Sequence, residues 1–175
     1  MLGKHNIYLI GPMGTGKTAV GRQLARMLDQ PFVDSDAEIE HHAGVDIPYI
    51  FEREGEAGFR QREREVLADL CQREGIVLAT GGGAVLAPDN RRLLHETGVV
   101  VHLQTSLAQQ LQRVGKGRGR PLLKGSDVAQ RLTELRAARE PLYQEIADIT
   151  LGTDNRRVPR VAELILEELG RQAAG

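Results

Sequence analysis

The chain alternates between short, dense apolar runs and longer stretches in which apolar residues recur every third or fourth position. The dense runs fall at residues 5–10 (HNIYLI), 31–33 (PFV), 75–80 (GIVLAT), 98–103 (GVVVHL) and 148–151 (DITL), and each reads as a strand, the second being the shortest. The intervening stretches carry helical spacing, as in Val20, Leu24 and Leu28, or Val158, Val161, Ile165 and Leu169 near the C-terminus. Residues 7–10, 76–79 and 99–103 are almost wholly apolar rather than alternating, which suits strands covered on both faces. Strands of that kind separated by helices predict an α/β fold: a three-layer, doubly wound parallel sheet of five strands. Ligands of such sheets sit beyond the carboxyl ends of the strands, so the turns that follow the strands are where chemistry is expected.

The turn after the first run is Gly11-Pro12-Met13-Gly14-Thr15-Gly16-Lys17-Thr18, a full match to G-x-x-x-x-G-K-[ST] in the strand, loop, helix setting that this pattern requires. Its glycines let successive backbone N–H groups point inward around phosphate oxygens, and the positive end of the following helix assists. Lys17 is placed to reach the β- and γ-phosphates and the Thr18 hydroxyl to coordinate Mg²⁺, so a nucleoside triphosphate with Mg²⁺ is the expected ligand.

The remaining strand ends narrow the class. No guanine-reading N-K-x-D stretch occurs, and the third run ends in Thr80-Gly81-Gly82-Gly83 without an acid. The acids near the loop are in Val33-Asp34-Ser35-Asp36. Two apart on an extended segment, Asp34 and Asp36 point the same way, one available to Mg²⁺ through its water shell and the other to an attacking hydroxyl. The same stretch also reads as a Ser35/Glu38 capping box, with Asp36 favoured by the helix dipole. The triple glycine allows either a tight turn or close approach of a ligand. Together these features indicate a small-molecule kinase. Within residues 51–65 (FEREGEAGFRQRERE), Glu56, Arg60 and Glu63 share a helical face, and Arg62 to Glu65 read as a solvated surface; spacing does not single out Arg60.

Composition then removes alternatives. Lys and Arg number 23 against 24 Asp and Glu, a net charge of −1, so there is no global attraction to nucleic acid or to an acidic membrane face. The stretch 113–124 is a local exception, with five basic residues and no acid, and GKGRGRPLL admits an RNA contact, a linker or a closing lid. Three Tyr, three Phe and no Trp leave few stacking groups for RNA. The single Cys71 excludes an internal disulfide, the N-terminal residues carry no apolar run of signal-peptide length, and no segment approaches the ~20 apolar residues of a membrane span. A cytoplasmic enzyme without nucleic-acid or membrane partners is expected. The five histidines show no metal-ligand spacing.

The combination of GPMGTGKT, DSD, GEAGFR, ATGGG, RPLL and REPLYQEIAD resembles the shikimate kinase family over nearly the whole chain. The resemblance implies a nucleoside-monophosphate-kinase-like fold with strand order 2-3-1-4-5, and transfer of the γ-phosphate of ATP to the 3-hydroxyl of shikimate in the chorismate pathway. It implies one domain over 1–175 with a substrate segment near 34–63 and a lid near 113–124, acting as a monomer. Asp36 is similar to the acid that contacts the reacting hydroxyl, and Asp34 to its Mg²⁺-water partner. Arg60 and Arg139 look like the arginines that bind the shikimate carboxylate, with Gly82 donating from its backbone. Arg120 looks like a lid arginine on the ATP phosphates, Arg113 like the residue against adenine, and Arg156 like a further ATP contact. Gly14, Thr15, Gly16, Lys17, Thr18 and Ala19 form the phosphate cradle, Ala19 standing where the family often has a hydroxyl. Glu63, Phe51 and Phe59 occupy substrate-pocket positions. A gluconate or nucleoside monophosphate kinase, and a non-catalytic nucleotide-binding protein, are the competing expectations.

Overall fold

The structure, a computed structural model, describes residues 5–114 and 127–175. Five strands, β1 (Asn6–Ile10), β2 (Phe32–Asp34), β3 (Val77–Ala79), β4 (Gly98–Gln104) and β5 (Ile149–Gly152), form one all-parallel sheet in the order β2-β3-β1-β4-β5. The five expected strands are all present, with ends moved by one or two residues. Among the described residues seven α-helices link and cover them: α1 (Lys17–Leu28), α2 (Ser35–Ala43), α3 (Ile47–Leu70), α4 (Pro88–Thr97), α5 (Leu107–Val114), α6 (Val128–Ile146) and α7 (Val158–Ala174).

Successive residues of a strand point to opposite faces, and that alternation divides the apolar runs between two cores. On one face Ile7, Leu9, Val77, Val101 and Leu103 pack with Val20 and Leu24 of α1 and with Val161, Ile165 and Leu169 of α7. On the other, Tyr8, Ile10, Leu78 and Val100 pack with Ile39 of α2, Phe59 and Leu67 of α3, Leu94 of α4 and Tyr143 of α6. Burial on both faces is why β1 has no polar alternation: all five of its residues are buried.

Two local features place the site. Strand β2 runs into α2 with no loop between them, because Asp34 is both the last strand residue and the helix cap: its Oδ1 accepts from the backbone N–H groups of Asp36 (2.9 Å) and Ala37 (3.2 Å). The expected Ser35/Glu38 box is therefore replaced by an Asp34 cap, and Asp36 lies in the first helical turn rather than on extended chain beside Asp34. In α3, Gly55 at φ 72 and ψ −177 interrupts the helix. The stretch after this break carries Phe59, Arg60 and Glu63 to the carboxyl edge of the sheet. No helix among the described residues is long and apolar enough to cross a membrane.

Candidate active site

The loop after β1 curls over the N-terminus of α1, with Gly14 and Gly16 in the left-handed region at φ 81 and 86. The Lys17 ammonium donates to the carbonyls of Gly11 (2.7 Å) and Pro12 (2.8 Å), and the Thr15 hydroxyl to the carbonyl of Pro12 (3.0 Å). The Thr18 hydroxyl donates to Asp34 Oδ2 at 2.9 Å, so the two expected metal-side oxygens meet between the first turn of α1 and the β2–α2 junction. Arg113 on α5 donates to the Gly14 carbonyl at 2.9 Å. A cleft of about 380 Å³ opens here. Its walls are Gly14, Gly16, Lys17, Thr18 and Ala19 from the loop and α1, Asp34 and Asp36 from the β2–α2 junction, Gly81 and Gly82, and Arg113.

Beyond Asp36 the site becomes drier and more highly charged. Glu63, on the helical face read as solvated, is 1% exposed: its Oε1 accepts from Arg60 Nη1 at 3.0 Å, and Arg60 Nη2 reaches Glu56 at 3.4 Å. This corrects the solvated reading. The charge alternation of RQRERE reports the outer face of α3, whereas Glu63 sits on the inner one, and only the packing of α3 against the turn after β3 decides that. Arg139 of α6 is 4% exposed, and the hydroxyl of Tyr143, one turn further on, donates to the Gly82 carbonyl at 2.5 Å. Phe51 and Phe59, whose ring centroids lie 4.9 Å apart, pack in the core that carries this part of α3.

The triple glycine is the meeting point of these groups. A β-carbon on Gly81 would lie 2.8 Å from Asp36 Oδ1 and 3.2 Å from Glu63 Oε2. On Gly82 it would lie 3.4 Å from Arg139 Nη1, and on Gly83 2.6 Å from the central carbon of the Arg60 guanidinium. At Gly81 and Gly83 a side chain would press on Asp36, Glu63 and Arg60, a steric reason for glycine that the sequence pattern did not show, whereas at Gly82 a β-carbon would make only ordinary contact.

Several of these groups have polar atoms left over. Asp36 Oδ1, Glu63 Oε2 and Arg60 Nε are buried and make no hydrogen bond among the described residues. Such atoms are costly unless something else satisfies them, and their convergence marks a cavity built for a polar ligand. Burial, helped by the neighbouring Asp34 charge, pushes the Asp36 carboxyl up to about 6, against the pull of Lys17 and Arg60. Burial likewise raises Glu63 to about 7 despite Arg60, and lowers Arg139 from the usual guanidinium range. Raised carboxyls beside guanidinium groups at a sheet edge are the pattern of a working site.

Comparison with known proteins decides the family. The shikimate kinase family model matches residues 13–170. The chain belongs to the shikimate kinase family. The shikimate kinase of Thioalkalivibrio sulfidiphilus is 56% identical over 160 residues, covering 91% of this chain and 84% of that protein. That of Pseudomonas syringae pv. tomato is 52% identical over 168 residues, 96% of both. Among solved structures, the shikimate kinase from Acinetobacter baumannii in complex with shikimate superposes with a TM-score of 0.94 at 48% identity, covering 96% of this chain and 94% of that one. A gluconokinase from Sinorhizobium meliloti, at a TM-score of 0.64 and 17% identity over 98% of this chain and 94% of that one, shares the fold alone.

The family expectation thus meets a structure that brings Lys17, Thr18, Asp34, Asp36, Arg60, Gly82, Arg113 and Arg139 around one sheet edge. Arg156 is exposed, donates to the Gly152 carbonyl at 3.0 Å and does not line the cleft. Arg120 and the stretch 115–124 lie outside the described residues. Sequence reasoning missed Tyr143 as a support of Gly82, although it stands within the quoted REPLYQEIAD; its spacing from Arg139, one helical turn, was the available signal.

Proposed function

We propose that the chain transfers the γ-phosphoryl group of ATP to the 3-hydroxyl of shikimate, giving shikimate 3-phosphate and ADP. The observation that carries this reading is the convergence of Asp36, Arg60, Glu63 and Arg139, with unsatisfied buried polar atoms, directly beside the phosphate loop. A shikimate-bound relative at 48% identity supports the same acceptor.

ATP lies with its phosphates on the loop, where the acceptors of Lys17 change from the Gly11 and Pro12 carbonyls to phosphate oxygens. Thr18 and Asp34 offer Mg²⁺ two hard oxygens already in contact, a set that fits an ion whose other positions are filled by water and phosphate. When bound, Mg²⁺ neutralises charge on the phosphates and orients them. Arg120 keeps the phosphate-binding part that the family resemblance gives it.

The shikimate carboxylate is held by Arg60 and Arg139. A guanidinium fork matches a carboxylate in two parallel hydrogen bonds, and burial makes each bond stronger than it would be in water. Glu63 fixes the fork of Arg60 through Nη1 and leaves Nε for the substrate. Asp36 accepts the hydroxyl proton. As the hydroxyl oxygen bonds to the γ-phosphorus, the bond from that phosphorus to the β–γ bridging oxygen breaks and its electrons leave with ADP. Positioning and neutralisation supply most of the rate, as in other phosphoryl transfers.

A coupled ADP-release assay with shikimate, gluconate, AMP or no acceptor tests this reading. ADP release dependent on shikimate alone is the expected result. Release with gluconate or AMP, or equal release without acceptor, would overturn it.

A further inference from the structure

One buried polar side chain near the loop has no part in the reaction described above. Gln110, on α5, is 1% exposed, and both ends of its carboxamide are engaged. Its Nε2 donates to the backbone carbonyl of Met13 at 2.8 Å, across 97 positions of sequence. Its Oε1 accepts from Arg136 Nη1 of α6 at 3.5 Å, and the same Nη1 donates to the carbonyl of Thr105 at 2.8 Å. The helix lies close against the loop at this point: a β-carbon on Gly14 would meet Val114 Cγ2 at 3.3 Å and Gln110 Cγ at 3.4 Å.

The peptide plane gives this contact its significance. In a trans peptide, the carbonyl of one residue and the N–H of the next are antiparallel and move together. There are no cis peptide bonds among the described residues. Tying the Met13 carbonyl outward to Gln110 therefore turns the Gly14 N–H the opposite way, toward the cleft in which the phosphates are read to bind. Arg113, one turn along α5, does the same for the following peptide by holding the Gly14 carbonyl. A phosphate cradle is made of such N–H groups, and each is worth most when it needs no reorientation on binding.

We infer that Gln110 is a positioning residue for the nucleotide: it holds the Met13–Gly14 peptide with its N–H aimed at the phosphates, and Arg136 holds Gln110. This rests on the proposed nucleotide site and adds a determinant outside the G-x-x-x-x-G-K-[ST] stretch.

Two variants test it. Gln110→Met keeps the length of the side chain and loses both hydrogen bonds, and Gln110→Glu keeps the acceptor facing Arg136 but sets an oxygen against the Met13 carbonyl. Titration calorimetry with Mg-ADP and steady-state kinetics with both substrates are the readouts, with thermal unfolding as the check on folding. The dissociation constant for Mg-ADP and the KM for ATP should rise roughly five- to twentyfold in both variants, the loss of one buried hydrogen bond. The KM for shikimate should stay within about twofold, since its ligands are untouched. Combining Gln110→Met with Arg136→Met should weaken Mg-ADP binding by less than the product of the two single effects, because Arg136 acts through Gln110. Unchanged Mg-ADP binding by folded Gln110→Met would overturn the inference, as would parallel weakening of nucleotide and shikimate with a fall in Tm. The unaltered protein separates the two claims. Tight Mg-ADP binding without shikimate phosphorylation would remove the proposed acceptor and leave Gln110 in place, whereas an unaffected variant of an active kinase would remove only Gln110.

Discussion

The two halves of the site are built on opposite physical plans. The nucleotide half is centred on backbone: the N–H and carbonyl groups of one loop form its cradle, Lys17 donates to carbonyls of that loop, and Thr18, Asp34 and Arg113 stand at its border. The acceptor half is side chain: two acids and two arginines from α2, α3 and α6 crowd a glycine turn and leave several polar atoms unsatisfied. The first half is made for a ligand with its charge spread over many oxygens. The second is made for one small molecule with a carboxylate and a hydroxyl at fixed separation, and it carries the desolvation cost that makes such recognition sharp.

If that contrast is right, damage to the two halves should separate in kinetics. The largest effect is expected from Asp36→Asn, which keeps shape and removes the proton acceptor: kcat should fall by about 10²- to 10⁴-fold. Direct titration with Mg-ATP should find its binding little changed, and an unchanged kcat would remove Asp36 from the chemistry. Next, Arg139→Lys loses the bidentate fork in a buried setting and should raise the KM for shikimate by roughly 30- to 100-fold, with the KM for ATP nearly constant. An effect confined to ATP would reverse the assignment of the two halves.

Smaller but more diagnostic is Gly83→Ala, whose added methyl would collide with the Arg60 guanidinium, 2.6 Å from its central carbon. Displacing that group should reduce kcat/KM for shikimate by about tenfold, in line with the cost of misplacing a binding residue by a fraction of an ångström. A plain turn glycine would affect stability instead.

The smallest effect concerns pH. Burial raises Glu63 from 4.5 to about 7 and Asp36 from 3.8 to about 6, so between these values the folded chain binds more protons than the unfolded one. Their contribution to stability is complete below the lower values and is lost as pH rises toward 7. The Tm of the ligand-free protein should therefore carry a downward slope from these groups over that range, and Glu63→Gln should flatten it. With Asp36 as the proposed base, its raised value should make kcat/KM rise with pH through about 6, since the base works deprotonated.

The difference between the halves also explains what could be read from the chain. The phosphate loop is one contiguous stretch, 11–18, whose glycine and lysine spacing contains its own geometry, and the dense apolar runs gave the strands because burial on both faces leaves β1, β3 and most of β4 almost wholly apolar, β2 and β5 being shorter and more exposed. The acceptor half is assembled from positions 36, 60, 63, 82 and 139 by tertiary packing, and nothing local distinguishes Glu63 from the exposed acids beside it. Resemblance to a family supplied Arg60 and Arg139; periodicity alone did not. The role of Asp34 as a cap was hidden for a related reason: whether a strand enters a helix directly or through a loop is decided by backbone angles, and Ser35 carries the same capping signal.

The most direct test of the claim that the Arg60 and Arg139 guanidinium groups recognise a carboxylate beside a phosphate loop is the comparison of shikimate with its methyl ester at saturating Mg-ATP. The ester keeps the ring and all three hydroxyls, loses the charge and adds one methyl group. The account predicts a fall in kcat/KM of about 10²- to 10³-fold, the cost of leaving Arg60 and Arg139 without their anionic partner. An ester phosphorylated as efficiently as the acid would contradict it.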